Sequence, residues 1–195
     1  YDASGNPVAI ATGSDGQVLT STGAGSPPAF EAAPSNPYLH TVQTHVTAAS
    51  SQSISAATIT NITSLNATIT PTSGTKILIT VRWNGEGGHT SNHDTIFGMR
   101  RDTTVIGSAE AAGSRSLGMA IIAQGYPGAD ADSSPDSCMY QYLDSPSTGS
   151  GITYHATIFN PIAQTIYNNR TVNAADGANY ERLTSTITLQ EVVAP

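Results

Sequence analysis

The chain has 195 residues with 14 acidic and 7 basic side chains, and only 11% of it is charged, against roughly a quarter in an ordinary soluble domain. A formal net charge of −7, with Lys76 as the only lysine, excludes the clustered basic surface that holds nucleic acid. It also argues against an anionic membrane surface, and the longest apolar run, around 117–123, is far too short to insert into a bilayer.

Residues 4–37, "SGNPVAIATGSDGQVLTSTGAGSPPAFEAAPSNP", are dense in Gly, Pro, Ser and Ala. Their short apolar pieces cannot bury a core, so 1–37 reads as an extended collar or linker that becomes ordered against neighbours. A chain that begins at Tyr1 rather than Met reads as cut or processed from something longer. From Tyr38 the pattern changes to period two, the mark of strands buried on one face. Leu65, Ala67 and Ile69 alternate with polar residues, as do Ile77, Ile79, Val81 and Trp83; Ile152, Tyr154, Ala156 and Ile158; and Ile187 and Leu189. Further strands are expected over 38–46, 95–101, 117–123 and 137–143. Turn-forming clusters separate them at 71–74, 85–88, 107–113, 125–135, 144–151 and 174–179. The 26 Thr and 22 Ser suit such strands and turns. The predicted fold is all-β: an antiparallel sandwich or jelly roll of about eight strands over 38–195, with no second core.

Candidate chemistry is sparse. "GEGGHTSNHD" brings Glu86, His89, His93 and Asp94 close together in sequence, but two His four apart need a helix to share a metal. The glycines before them predict a polar loop instead, so no metal or other cofactor is expected. The lone Cys138 excludes an intrachain disulfide and reads as a small core residue. No nucleophile elbow or phosphate loop occurs. Loop carboxylates such as Asp130 and Asp132 leave a glycosidase pair open without marking one. Trp83 alternates with core positions, yet lies beside "NGEGG", where its ring could line a shallow sugar site. Tyr126, flanked by Gly and Pro and followed by acids, is the better exposed aromatic. No catalytic residue is assigned, and no enzyme is expected.

Three stretches resemble bacteriophage tail-fibre proteins. "GSDGQVLTSTGAGSPPAFEA" (13–32) resembles their collar, with Phe30 where an aromatic follows the prolines. "ITPTSGTKILITVRW" (69–83) resembles the strand that opens the fibre's globular tip. "YLDSPSTGSGITYHATIF…NNRTVNAADGANYERLTSTITLQEV" (142–192) resembles the C-terminal end of the same proteins. The resemblance implies a virion protein, a homotrimer whose N-terminal segment contacts other virion proteins. It implies a knob that attaches to a receptor on the bacterial surface, with a glycan among the candidates. It carries over no catalytic residues. Receptor contacts are then expected on loops, at Trp83, Glu86, His89, His93, Asp94, Tyr126, Asp130 and Asp132. The alternatives are a trimeric capsid decoration protein and, more distantly, a polysaccharide-degrading enzyme.

Overall fold

The computed structural model describes residues 4–6, 9–23, 26–33, 38–87, 94–122 and 133–193. The chain divides into two compact units, Tyr1–Pro37 and Tyr38–Pro195.

The smaller unit is built on one antiparallel hairpin, β1 (Gln17–Thr20) and β2 (Ala29–Ala32), with Leu19 opposite Phe30. Gln17 ties it together: its side-chain oxygen accepts from Ser14 N–H (2.7 Å), and its amide donates to the Phe30 carbonyl (3.5 Å). The Phe30 ring lies so close to Gly13 that a Cβ there would overlap it. Ile10, Val18, Leu19 and Phe30 nevertheless remain 36–52% exposed. Two strands offer too little surface to close over their own apolar side chains.

The larger unit holds eleven strands: β3 (Tyr38–Val46), β4 (Ser50–Ile54), β5 (Thr60–Ile69), β6 (Lys76–Gly87), β7 (Ile96–Arg101), β8 (Thr104–Ile106), β9 (Ala120–Ile121), β10 (Asp136–Asp144), β11 (Ile152–Phe159), β12 (Gln164–Asn168) and β13 (Ser185–Val192). Every pairing is antiparallel, and no α-helix occurs among the described residues. One sheet centres on the twelve-residue β6. β10 runs along one edge of it. Along the other edge β13 pairs with residues 76–82 and β12 with residues 85–87. β3 lies outside β13, and β4 outside β12. The second sheet runs β5–β11–β7, and β8 and β9 share the free edge of β7.

The two sheets stack as a sandwich around one core. Ile77, Ile79, Val81 and Trp83 of β6 are all at 0% exposure, as are Ile187 and Leu189 of β13. They meet Leu65, Ala67 and Ile69 of β5, Phe97 and Met99 of β7, and Tyr154, Ala156 and Ile158 of β11. Trp83 packs on Phe97 across the gap at 4.9 Å between ring centres, and the Tyr140 hydroxyl donates to the Gly98 carbonyl at 2.6 Å. Cys138 is buried in this core, as its apolar setting predicts.

Two expectations need correction. The glycines of 85–88 read as a turn, but β6 continues through Gly85 to Gly87. A Cβ on Gly85 would overlap the Tyr167 carbonyl and approach the Trp83 ring to 2.7 Å. Glycine here permits close packing inside a sheet rather than a reversal of the chain. The expected strand at 117–123 is reduced among the described residues to β9. β4, β8 and β12 were not expected at all, and among the described residues the sandwich has eleven strands rather than about eight.

The register gives the sandwich two unlike ends. Val192 lies opposite both Tyr38 and Lys76, so the chain enters and leaves the fold at the same end. The 70–75 and 145–151 turns are there too, because Asp144 pairs with Ile77. At the far end β6 finishes at Gly87, β10 begins opposite Gly85, and β12 finishes opposite Gly85. The connections 88–95 and 169–184, and the one that leads into β10, all start or finish at that far end.

Replacing Gly85 with Ala should cost about 1–3 kcal/mol, since overpacking against backbone cannot be relieved by a side-chain rotation. Gly149→Ala, where the added carbon meets nothing closer than 3.7 Å, should change little. Urea denaturation of the two variants would test the contrast, and equal midpoints would refute it.

Candidate functional site

Five of the eight expected receptor contacts, His89, His93, Tyr126, Asp130 and Asp132, lie outside the described residues. Asp94 is exposed just before β7. Trp83 and Glu86 are not on exposed loops: both sit in β6, at 0% and 1% exposure. Trp83 faces the core. Its indole N–H donates to the Asn168 side-chain oxygen at 2.8 Å, and the Asn168 amide donates on to Ser50 Oγ at 3.3 Å. Glu86 is covered by the chain that follows β12 and accepts the Val172 N–H at 2.7 Å.

Two other carboxylates that the sequence did not single out are also buried. Asp144, in the "LDSP" stretch, accepts the Tyr154 hydroxyl at 2.6 Å and pairs with Arg101 Nη1 at 2.9 Å. Burial, reinforced by the Asp144 hydrogen bond and charge, pushes the Tyr154 hydroxyl far above its ordinary range. It therefore stays protonated, as a donor. Glu191, at 3% exposure, accepts the Thr72 N–H (2.6 Å) and the Thr75 hydroxyl (2.9 Å). Burial pushes its carboxyl up, but these bonds and the nearby His40 outweigh that and hold it below the ordinary value of 4.5. Burial also raises the Cys138 thiol to about 12, so it is neutral and a poor nucleophile. These groups have their hydrogen-bonding capacity turned inward, toward holding turns and strand ends. Among the described residues no group of three His, Cys, Asp or Glu is placed to hold a metal, and no helix is long and apolar enough to cross a membrane.

A polar concavity among the described residues of the sandwich lies in the loop after β12. Asn169, in the left-handed region at φ 59°, starts it. Asparagine tolerates that conformation better than most residues, and here its other groups are all engaged. Its N–H donates to the Asn84 carbonyl, its carbonyl accepts from Leu183 N–H, and its side-chain amide donates to the carbonyls of Val46 and Ala48. Ser185 Oγ donates to its side-chain oxygen at 2.6 Å. A bridge between Arg170 and Arg182 closes the neck of the loop. Arg170 stacks on Tyr167 at 4.6 Å and donates to the carbonyls of Thr171 and Val172. Glu86 below and Ser133, which donates to the Asn179 carbonyl, pin the loop to the sandwich. Inside is a cleft of about 320 Å³. No sequence signal pointed to it: "NNRTVNAADGANYER" has the composition of any polar loop, and the carboxylate that holds Val172 lies 86 residues away.

A scan against protein-family models matches none of them to this chain, and no curated protein shows significant similarity to it.

Glu191 makes the acid side of the stability curve testable. A carboxyl held below its ordinary value stabilises the fold fully above that value, and the contribution disappears as the pH falls through the folded-state titration. Glu191→Gln should cost about 1–2 kcal/mol at pH 7, since it replaces charge-assisted bonds with neutral ones. The gap to wild type should close as the pH drops below 4.5. Thermal denaturation from pH 7 downward would show this, and a gap independent of pH would contradict it.

Proposed function

We propose that this chain is the collar and knob of a bacteriophage tail fibre, a homotrimeric attachment protein that binds the bacterial surface through loops at one end of a jelly roll. The observation that carries the reading is the polarity of the sandwich. The polypeptide enters and leaves at the Lys76 end, whereas the connections after β6 and β12 and the start of β10 gather at the Gly87 end. A sandwich whose chain enters and leaves at one end, with inter-strand connections at the other, has the form of a recognition domain on a stalk. The strand order supports a jelly roll. β3, β13, β6 and β10, with the β12–β4 pair beside the far end of β6, form one six-strand layer, and β5, β11, β7 and the β8/β9 edge form the other, two antiparallel sheets packed face to face as in viral coat and lectin domains.

Self-association is supported by the outer face of the β3–β13–β6–β10 layer. Its cross-strand rows read Thr41–Gln190–Leu78–Leu143, Gln43–Thr188–Thr80–Gln141 and His45–Thr186–Arg82–Met139. Leu39, Met139 and Leu143 on this face are 47–63% exposed. Gln43 donates to Thr188 and Gln141 to Thr80, so two of the three amides in these rows are engaged within the face. No carboxylate stands in these rows. Such a face suits identical copies, which closed symmetry would bury completely. The exposed apolar residues of the β1–β2 hairpin call for partners in the same way.

Sedimentation equilibrium of the 195-residue chain should give three times the 20.1 kDa protomer mass. Met139→Asp with Leu143→Asp should reduce that to one protomer with the β-rich circular dichroism kept. Fluorescent wild-type protein should bind cells of a susceptible bacterium and block adsorption of the phage. A stable monomer at micromolar concentration would overturn the trimer, and binding to phage capsids but not to cells would overturn the attachment role.

A further inference from the structure

We infer that the cleft in the 170–182 loop is a binding site for a neutral mono- or disaccharide. The inference rests on the attachment reading only for the source of that sugar, and its chemistry follows from the lining. Tyr180 offers a ring edged against Gly177, with the Gly177 Cβ position 3.4 Å from it. Asp176, Glu181, Arg170 and Arg182 bring two negative and two positive groups to one concavity, and Asn173 adds an amide. Among the described residues the Asp176 carboxylate, the Arg182 guanidinium and the Tyr180 hydroxyl make no hydrogen bond, so they have capacity left for a ligand.

The balance of charge selects the ligand class. An anion would meet Asp176 and Glu181, and a cation would meet Arg170 and Arg182. An apolar molecule would strand these polar groups without partners, which is costly. A sugar avoids all three penalties. Its neighbouring hydroxyls donate to carboxylate and accept from guanidinium and amide, while its C–H face lies on an aromatic ring. At about 320 Å³ the cleft is at the small end of ligand pockets, roughly 300–1,000 Å³, which limits it to one or two rings.

The site is also held ready. Asn169 is fixed by five hydrogen bonds at the start of the loop, the Arg170–Arg182 bridge closes its neck, and Glu86 holds Val172 from below. Little ordering remains to be done on binding. Glu86, expected to touch a receptor directly, instead supports the surface that does. A single small site of this kind binds weakly, and repetition on one assembly would supply the avidity.

Saturation-transfer difference NMR on the full 195-residue chain tests this, with the methyl glycosides of glucose, galactose, mannose, rhamnose and N-acetylglucosamine as probes and that of glucuronic acid as the anionic comparison. At least one neutral glycoside should receive saturation. Its signal should fall at least tenfold in Tyr180→Ala and in Asp176→Asn, which lie in the exposed loop and should leave the melting temperature unchanged. The inference is overturned if no neutral glycoside responds, if only the glucuronide does, or if the signal survives both substitutions. Cell binding is scored separately. Loss of glycoside binding in the variants with cell binding intact would detach the cleft from attachment. Glycoside binding by a wild-type protein that ignores cells would leave the sugar site standing and refute the attachment reading.

Discussion

The seating of one indole ring sets much of the rest. Trp83 lies between the two sheets with its face toward Phe97 and its edge toward Gly85, and its N–H reaches Asn168 on β12. A buried indole N–H without an acceptor costs about 1–3 kcal/mol, so the end of β12 must stand where Asn168 can serve it. Asn168 is anchored in turn by Ser50 of β4, and Asn169 immediately begins the loop at the far end. A single core residue therefore links the packing of the two sheets, the docking of the short β12–β4 pair and the point of departure of the 170–182 loop. Gly85 is the other half of that arrangement, because any side chain there would occupy the space of the ring.

The acids follow a related economy. This chain has few charges, and among the described residues it encloses three carboxylates as structural acceptors: Asp144 for Tyr154 and Arg101, Glu86 for Val172, and Glu191 for Thr72 and Thr75. Charge-assisted bonds are shorter and stronger than neutral ones; Glu86 and Glu191, near strand ends, take backbone N–H groups that would otherwise be orphaned, and Asp144 takes the side-chain donors of Tyr154 and Arg101. Glu191, near the end of β13, holds the 72–75 turn that opens β6.

The strands legible in the sequence were those with one face in the core. Ile77–Trp83 and Ile152–Ile158 alternate because every second side chain enters the sandwich. β4, "SSQSI", presents only Ile54 to the core, and β12, "QTIYN", presents Ile166, so neither has a readable period. Their positions are set by side-chain amides such as Asn168 acting over long distances in sequence, which periodicity does not register. Glu86 was misplaced for a related reason: "NGEGG" has the composition of a turn, and only the Trp83 ring beside it explains the glycine. The cleft went unnoticed because its lining is local while its support comes from β6, Ser133 and β13.

The shared doorway at Tyr38 and Val192 also has a practical side. A twelve-residue strand separates it from the Gly87 end, a span of ~35–40 Å at roughly 3.4 Å per residue. A dye, biotin or resin linkage grafted beyond Val193 would therefore sit about one strand's length from the Gly87 end of the sandwich, which a surface holding the C-terminal strand would leave facing the solution.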